Sequence, residues 1–255
     1  MRMQANTILI TGGATGIGLA LAESFLERGN EVIVCARTEE HLVHAKERLP
    51  RLQIRRCDLS KESERRDLHD WTISNFPEMN VLINNAGIQR VIDFKRGLAD
   101  LDRHREVDEE DEIEINFRAY VQMAAAFVPD LIKQKEAAIV NVSSGLGFIP
   151  LTIMPVYCAT KAAIHSFSLS LRHQLSDTPI KVFEIIPPTV DTELDKGARA
   201  SRGQQDRGIA PGLVAKEALP RMEKDDYEIA IGRAGNIRAA SGIDFDRIFA
   251  NMNHN

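Results

Sequence analysis

Cysteine is scarce in this chain: Cys35, Cys57 and Cys158 are the whole complement. An odd number, placed in or beside apolar runs, argues against a disulfide framework and for buried thiols. No His or Cys spacing suggests a metal site, so none is expected. Long apolar runs are missing too. Nothing approaches the ~18 residues that span a bilayer, and a strand begins by Thr7 with no signal-type stretch before it. The expectation is a cytoplasmic protein without membrane insertion. Charge of one sign is also missing as a block, since 32 Lys and Arg are scattered among 37 Asp and Glu for a net charge of −5. That pattern argues against nucleic acid and anionic lipid as partners. There is no internal repeat, no Pro- or Ser-rich linker and no low-complexity tract.

What is present is enough for one large core: 255 residues, 44 % of them apolar, fit a single domain spanning 1–255. Short apolar runs at 7–10, 32–35, 54–57, 81–84, 138–142, 182–186 and 227–231 suit strands buried on both faces. Between them lie helical stretches at 16–28, 39–49, 61–76, 110–133, 157–175 and 211–222. Seven strands alternating with helices predict an α/β, Rossmann-type, doubly wound parallel sheet with helices on both faces. Its ligand site should lie beyond the carboxyl ends of the strands. Trp71 reads as packing inside its helix. Two segments break the alternation. The charge-dense 100–114 reads as solvated surface, and 195–208, rich in Gly, Arg, Gln and Ala, reads either as a substrate lid within 193–212 or as a passive loop.

After the first run comes Thr11-Gly12-Gly13-Ala14-Thr15-Gly16-Ile17-Gly18, which opens an amphipathic stretch. A helix N-terminus offers unpaired N–H groups and a positive dipole end, and glycines let a pyrophosphate approach the backbone, so 7–37 reads as a dinucleotide-binding segment. The absence of a Gly-Lys-Ser/Thr ending argues against a P-loop and ATP hydrolysis. Far downstream, Tyr157 and Lys161 stand four apart and share one helix face. An isolated phenol titrates near ~10, and a neighbouring cation makes it a usable proton donor and acceptor near neutrality. With both motifs in place, residues 6 to about 232 resemble the short-chain dehydrogenase/reductase family.

The resemblance implies a catalytic set of Asn116, Ser144, Tyr157 and Lys161 within 110–175. Ser144, at a strand end, would hold the substrate oxygen, while Ser143, one residue earlier, should face away. Asn116, costly inside an apolar helix unless hydrogen-bonded, would distort its helix and hold a water against the lysine. Hydride would pass between a nicotinamide and a small carbonyl or alcohol substrate, with Tyr157 moving the oxygen's proton. Cofactor contacts implied are Gly12, Ala14, Thr15, Gly16, Ile17, Gly18, Asp58, Leu59, Asn85, Ala86, Gly87, Tyr157, Lys161, Pro187, Val190 and Thr192. Where an acidic residue would favour NAD(H), this chain has Ala36 and then Arg37, so NADP(H) is preferred and NAD(H) is the alternative. Pro187-Pro188 departs from the family's Pro-Gly, leaving the path of the following loop open.

The run from Pro155 to Ser168, the Pro-Pro pair and a tail segment, Phe245-Asp246-Arg247-Ile248-Phe249, narrow the resemblance to the DltE-like short-chain oxidoreductases. Neither D-alanine chemistry nor a teichoic acid ligand is visible in these residues. Apolar Leu146, Phe148, Ile149 and Ile153 should form one wall of the substrate pocket. Helices 110–133 and 157–175 would pair copies into a homodimer or homotetramer, and 233–255 is left as a C-terminal tail. Two other readings remain open. One is a nucleotide-sensing regulatory protein without efficient turnover; the other is a sugar-nucleotide epimerase or dehydratase, for which about sixty residues after Thr192 leave little room.

Overall fold

The computed structural model describes residues 1–102, 111–195, 203 and 208–253. One parallel sheet of seven strands runs through it in the order β3-β2-β1-β4-β5-β6-β7. The strands are β1 (Thr7–Thr11), β2 (Glu31–Ala36), β3 (Gln53–Arg56), β4 (Met79–Asn84), β5 (Ala137–Val142), β6 (Ile180–Ile186) and β7 (Glu228–Ala230). All lie where the apolar runs put them. Period-two alternation along β1 sends Ile8 and Ile10 to one face and Leu9 to the other. Helices α1 (Gly16–Glu27) and α2 (Glu39–Arg48) cover the first face, while α3 (Glu62–Asn75), α4 (Ala119–Leu131) and α5 (Pro155–Gln174) cover the second. Helix α6 (Pro211–Glu223) joins α1 on the first face. Leu21, Phe25, Val214 and Leu219 pack against Ile8 and Phe183; Met123 and Phe127 pack against Leu9, Leu82 and Ile139. Each such fully buried side chain contributes about 1.5–3 kcal/mol.

Helix starts agree with the sequence to within two residues, apart from the expected helix 110–133. That one is interrupted by a π-turn at Glu114–Arg118 before α4 begins. Asn116 lies inside the π-turn, so the distortion falls at the residue expected to cause it. The tail is a larger difference: 233–253 forms α7 (Arg233–Ser241) and α8 (Phe245–Asn253). No strand-helix alternation points to them. Helix α7 packs on the short 3-10 turn Gly145–Gly147, and Asn253 donates to Pro150 O at 3.0 Å. The tail therefore closes over the segment that follows β5.

Trp71 packs edge-on against Phe76 with ring centroids 5.5 Å apart, and Arg55 lies over it. The three cysteines are buried free thiols. Among the described residues no helix is long and apolar enough to cross a membrane, and no group of three or more His, Cys, Asp or Glu is placed to hold a metal. Residues 103–110 of the charged segment, and most of the expected lid, lie outside the described residues. The lid's flanks are placed: Val190 and Ile209 form a parallel bridge, with Asp191 N donating to Ile209 O at 2.9 Å.

Candidate active site

Directly after β1 the chain turns through Gly12 at φ +62° and Gly16 at φ +54°, conformations that suit glycine. Close approach matters more at Gly18, where a Cβ would stand 2.4 Å from Gly12 O and 2.6 Å from Asn85 Nδ2. Asn85 braces this turn, since its Nδ2 donates to Thr11 O at 3.0 Å and Gly12 O at 3.1 Å. Thr11 Oγ1 returns the tie by accepting from Asn85 N and Ala86 N. Thr15 caps α1 without a side-chain hydrogen bond, and no acidic residue occupies the first turn. The amide end of α1 thus keeps its positive character toward the cleft.

The other expected cofactor residues lie in this turn or in the segments that follow β2, β3, β4 and β6. Ala14 is buried, Ile17 is half-buried, and Leu59 follows β3 as a buried residue. Thr192 approaches Gly16, its Cγ2 lying 3.1 Å from where a Gly16 Cβ would be. Pro187-Pro188 does not divert the chain from this place: Gly145 N donates to Pro187 O, and the bridge at buried Val190 fixes the segment beyond. Arg37 is exposed at the end of β2. Burial raises the Asp58 carboxyl, but hydrogen bonds from Ser60 and the charges of Lys61 and Arg37 outweigh it and hold it below the usual range. Asp58 Oδ1 accepts from Ser60 N at 3.0 Å and Ser60 Oγ at 2.7 Å. A cleft of about 650 Å³ leads from Ala14, Thr15 and Gly16 past His44 to Thr192 and Pro211. Tyr157 is not among its lining residues, so this cleft is not the reaction chamber.

The chemistry-bearing groups gather at the carboxyl ends of β4 and β5. Helix α5 starts with Pro155 at its first turn, which places Tyr157 and Lys161 on a buried face at 6 % and 3 % exposure. Lys161 Nζ donates to Val142 O at 2.9 Å and stands 5.7 Å from the Tyr157 ring centre and 5.4 Å from that of Tyr120. Burial lowers Lys161 to about 8, with the Glu184 charge pulling it back up. Tyr120 donates to Ala86 O at 3.0 Å, and burial, then the nearby Tyr157, push its phenol well above the usual range. It is a neutral wall beside the lysine.

Ser144 stands two residues after β5 with its Oγ accepting from Leu146 N at 3.1 Å, while Ser143 turns to the other side and donates to Glu184 Oε1 at 2.5 Å. The strand's alternation separates the two serines as expected. Asn116 clamps the end of β4: Oδ1 accepts from Ile88 N and Nδ2 donates to Ile88 O, each at 2.8 Å, with a second donation to Thr160 Oγ1. Both of its amide hydrogens are donated there, close to Lys161. A Cβ at Gly87 would lie 3.3 Å from Asn116 Oδ1 and 3.7 Å from Lys161 Nζ.

Tyr157 belongs to an apolar cluster with Met154 and Cys158, against which Val91, Leu146, Leu151, Ile153 and Leu194 pack. Leu146 and Ile153 are therefore at the expected wall; Phe148 and Ile149 are not. Ile149 is fully buried, and Phe148 packs against His165 at 4.6 Å between ring centres. Residues in the 3-10 turn after Ser144 rotate by about 120° each, so strand alternation no longer assigns their faces. Sequence reasoning also missed a buried amide ladder. Asn84 Nδ2 donates to Asn141 Oδ1 at 3.0 Å and Asn141 Nδ2 to Ser168 Oγ at 2.9 Å. An Asn or Glu inside an otherwise apolar strand is the signal that could have found it, because such a group needs partners.

The model of the short chain dehydrogenase family matches residues 6–203. The chain is 49 % identical over 253 residues to the uncharacterized oxidoreductase DltE of Bacillus subtilis, covering 99 % of this chain and 98 % of that one. It superposes on a short chain dehydrogenase from Burkholderia cenocepacia in complex with NADP with a TM-score of 0.83, at 26 % identity and full coverage of both chains. A Burkholderia phymatum short chain dehydrogenase/reductase in complex with NAD gives the same score at 20 % identity, covering 99 % of this chain and 97 % of that one. The chain belongs to the short-chain dehydrogenase family, an oxidoreductase family, and stands close to DltE within it.

Proposed function

We propose that this short-chain dehydrogenase is a cytoplasmic NADP(H)-dependent oxidoreductase for a small, largely apolar carbonyl or alcohol substrate. The observation that carries the reading is the buried Lys161 ammonium, anchored on Val142 O beside the Tyr157 ring. A dry cation next to a phenol favours the phenolate and lets Tyr157 give or take the proton of the substrate oxygen. Ser144 accepts from Leu146 N through a lone pair, which leaves its own O–H to donate to that oxygen as charge develops. Asn116 keeps Gly87 and Ile88 at fixed distance from the lysine, and the cluster around Met154 and Leu146 shields the site from water.

A bound nicotinamide supplies the hydride donor or acceptor. The amides of the glycine turn and the α1 dipole suit its pyrophosphate. Asn85, Ala86 and Gly87 would border a ribose, Asp58 and Leu59 the adenine, and Pro187, Val190 and Thr192 the nicotinamide end. Arg37 would pair with a 2′-phosphate, which is the basis for NADP(H) over NAD(H). The related structures carry NADP in one case and NAD in the other, so the choice rests on Arg37. An apolar groove of about 400 Å³ formed by Phe94, Ile113, Phe117, Val156 and Ala159 lies beside α5. Phe94 and Ile113 are 59 % and 56 % exposed, which supports homodimer or homotetramer assembly through this flank.

Fluorescence titration of NADPH and NADH, with absorbance assays on ketones, aldehydes and quinones, tests the reading. NADPH should bind at least tenfold more tightly than NADH, Arg37→Ala should erase that difference, and an apolar carbonyl should be reduced. Tight nucleotide binding without turnover on any carbonyl would contradict it.

A further inference from the structure

Strand β6 is buried on both faces, yet Glu184 stands in its middle at 0 % exposure. A carboxylate in such a place is costly without partners. Glu184 has two: Oε1 accepts from Ser143 Oγ at 2.5 Å, and Oε2 accepts from His165 Nδ1 at 2.7 Å. The order of the three excludes a Ser-His-acid nucleophile, because the hydroxyl bonds the acid and not the imidazole. The group that this cluster does reach is Lys161. His165 lies one helical turn after Lys161 on the same side of α5. Lys161 Nζ is tied to Val142 O, the residue next to Ser143, whose hydroxyl holds Glu184. The Glu184 charge opposes the burial that lowers the lysine.

We propose that Glu184, partnered by His165, is a positioning residue for the reaction above: a buried counter-charge that keeps Lys161 an ammonium where Tyr157 needs one. The other charged groups near the pair gather on the side of β7 and α7. Glu228 on β7 is level with Glu184 and is engaged by Arg172 of α5 at 3.4 Å and by Arg238 of α7. Arg238 also lies over the Phe148 ring that packs on His165. From β5 come the neutral Asn141 and Ser143, and from α4 the neutral Tyr120. The hydrogen bond to Glu184 raises His165 above its ordinary value, against burial and Arg238 and with help from Glu228. The Glu184–His165 pair therefore has no net charge while His165 is protonated and a full negative charge once His165 loses its proton. Loss of the His165 proton therefore strengthens the pair's hold on the Lys161 ammonium.

The proposal rests on the oxidoreductase reading, so Lys161 is best observed directly as well as through turnover. The experiment is a pH titration of ¹³Cε-labelled lysine by NMR, with the Lys161 signal assigned by Lys161→Arg, beside the pH profile of kcat. In Glu184→Gln the Lys161 midpoint and the alkaline limb of kcat should fall together by roughly one unit. In His165→Asn, which keeps a donor near the Nδ1 position but never a charge, both should move up by a smaller step. An unmoved Lys161 midpoint in Glu184→Gln overturns the proposal, whatever happens to the rate. A shifted midpoint in a protein that turns over no substrate supports the counter-charge and sinks the hydride-transfer reading alone. Should Glu184→Gln not fold, His165→Asn carries the test, and an unmoved or lowered midpoint there overturns it.

Discussion

The β1 side of the sheet is shaped at its site by what its residues omit, and the β5 side by what its residues bring inside. At the glycine turn, Gly12 and Gly18 leave room that a single Cβ would fill, and main-chain amides face the cleft. Around β5 the interior holds Asn116, Asn141, Ser143, Lys161 and Glu184, all at 3 % exposure or less. Binding a phosphate needs only oriented dipoles and close approach. Moving a proton needs ionised groups in a dry place, and each of these must be hydrogen-bonded or countered. The binding segment can therefore be specified by short local sequence, whereas the catalytic segment needs partners from β4, β5, β6 and two helices at once.

Substitutions should break the two regions in different ways. The largest effect is expected from Tyr157→Phe, which should lower kcat roughly 10³-fold, about 4 kcal/mol of barrier, while NADPH still binds. Next, Lys161→Met should abolish turnover yet stabilise the fold by about 2 kcal/mol at pH 7. The sign follows from the direction of the shift. Burial lowers the folded lysine to about 8 from its ordinary 10.5. Below pH 8 both folded and unfolded states carry the charge, and the fold bears its full cost. That cost fades between pH 8 and 10.5, so the advantage of methionine should shrink over the same range in thermal unfolding scans. A melting temperature lower than wild type at pH 7 would contradict it.

On the other side of the comparison, Gly18→Ala should weaken NADPH binding about thirtyfold, or ~2 kcal/mol, because backbone of Gly12 and Gly13, as well as the bracing Asn85 amide, meets the new methyl group. Nucleotide titration reads it, and an unchanged Kd would show that the turn tolerates a Cβ. The smallest effect should come from Asn141→Ala. Removing the middle of the Asn84–Asn141–Ser168 ladder should cost roughly 1–1.5 kcal/mol in chemical denaturation, with nucleotide affinity untouched.

This contrast also explains what could be read from the chain alone. Sheet, strand positions and glycine turn were legible because they depend on local runs such as Thr7–Thr11 and on glycines next to them. Tyr157, Lys161, Ser144 and Asn116 were legible through spacing within a family pattern; the structure sets Lys161 beside the Tyr157 ring, with Asn116 and Lys161 both next to Gly87, and leaves Ser144 just after β5. The roles of Glu184, His165, Tyr120 and Asn141 were not, because each depends on a partner far away along the chain: 19 residues separate His165 from Glu184, and 57 separate Asn84 from Asn141. Helices α7 and α8 escaped notice for a related reason. No residue of α8 is buried, so its apolar positions are not set by the core pattern that revealed the other elements.

The most direct test of the account is NADPH binding and NADPH oxidation measured on the same samples of wild type and Tyr157→Phe, with a reducible apolar carbonyl present. Dissociation constants should lie within about twofold of each other, with oxidation reduced by roughly 10³-fold in the variant. Undiminished oxidation in Tyr157→Phe, or loss of NADPH binding along with it, would contradict the division of labour between the two regions.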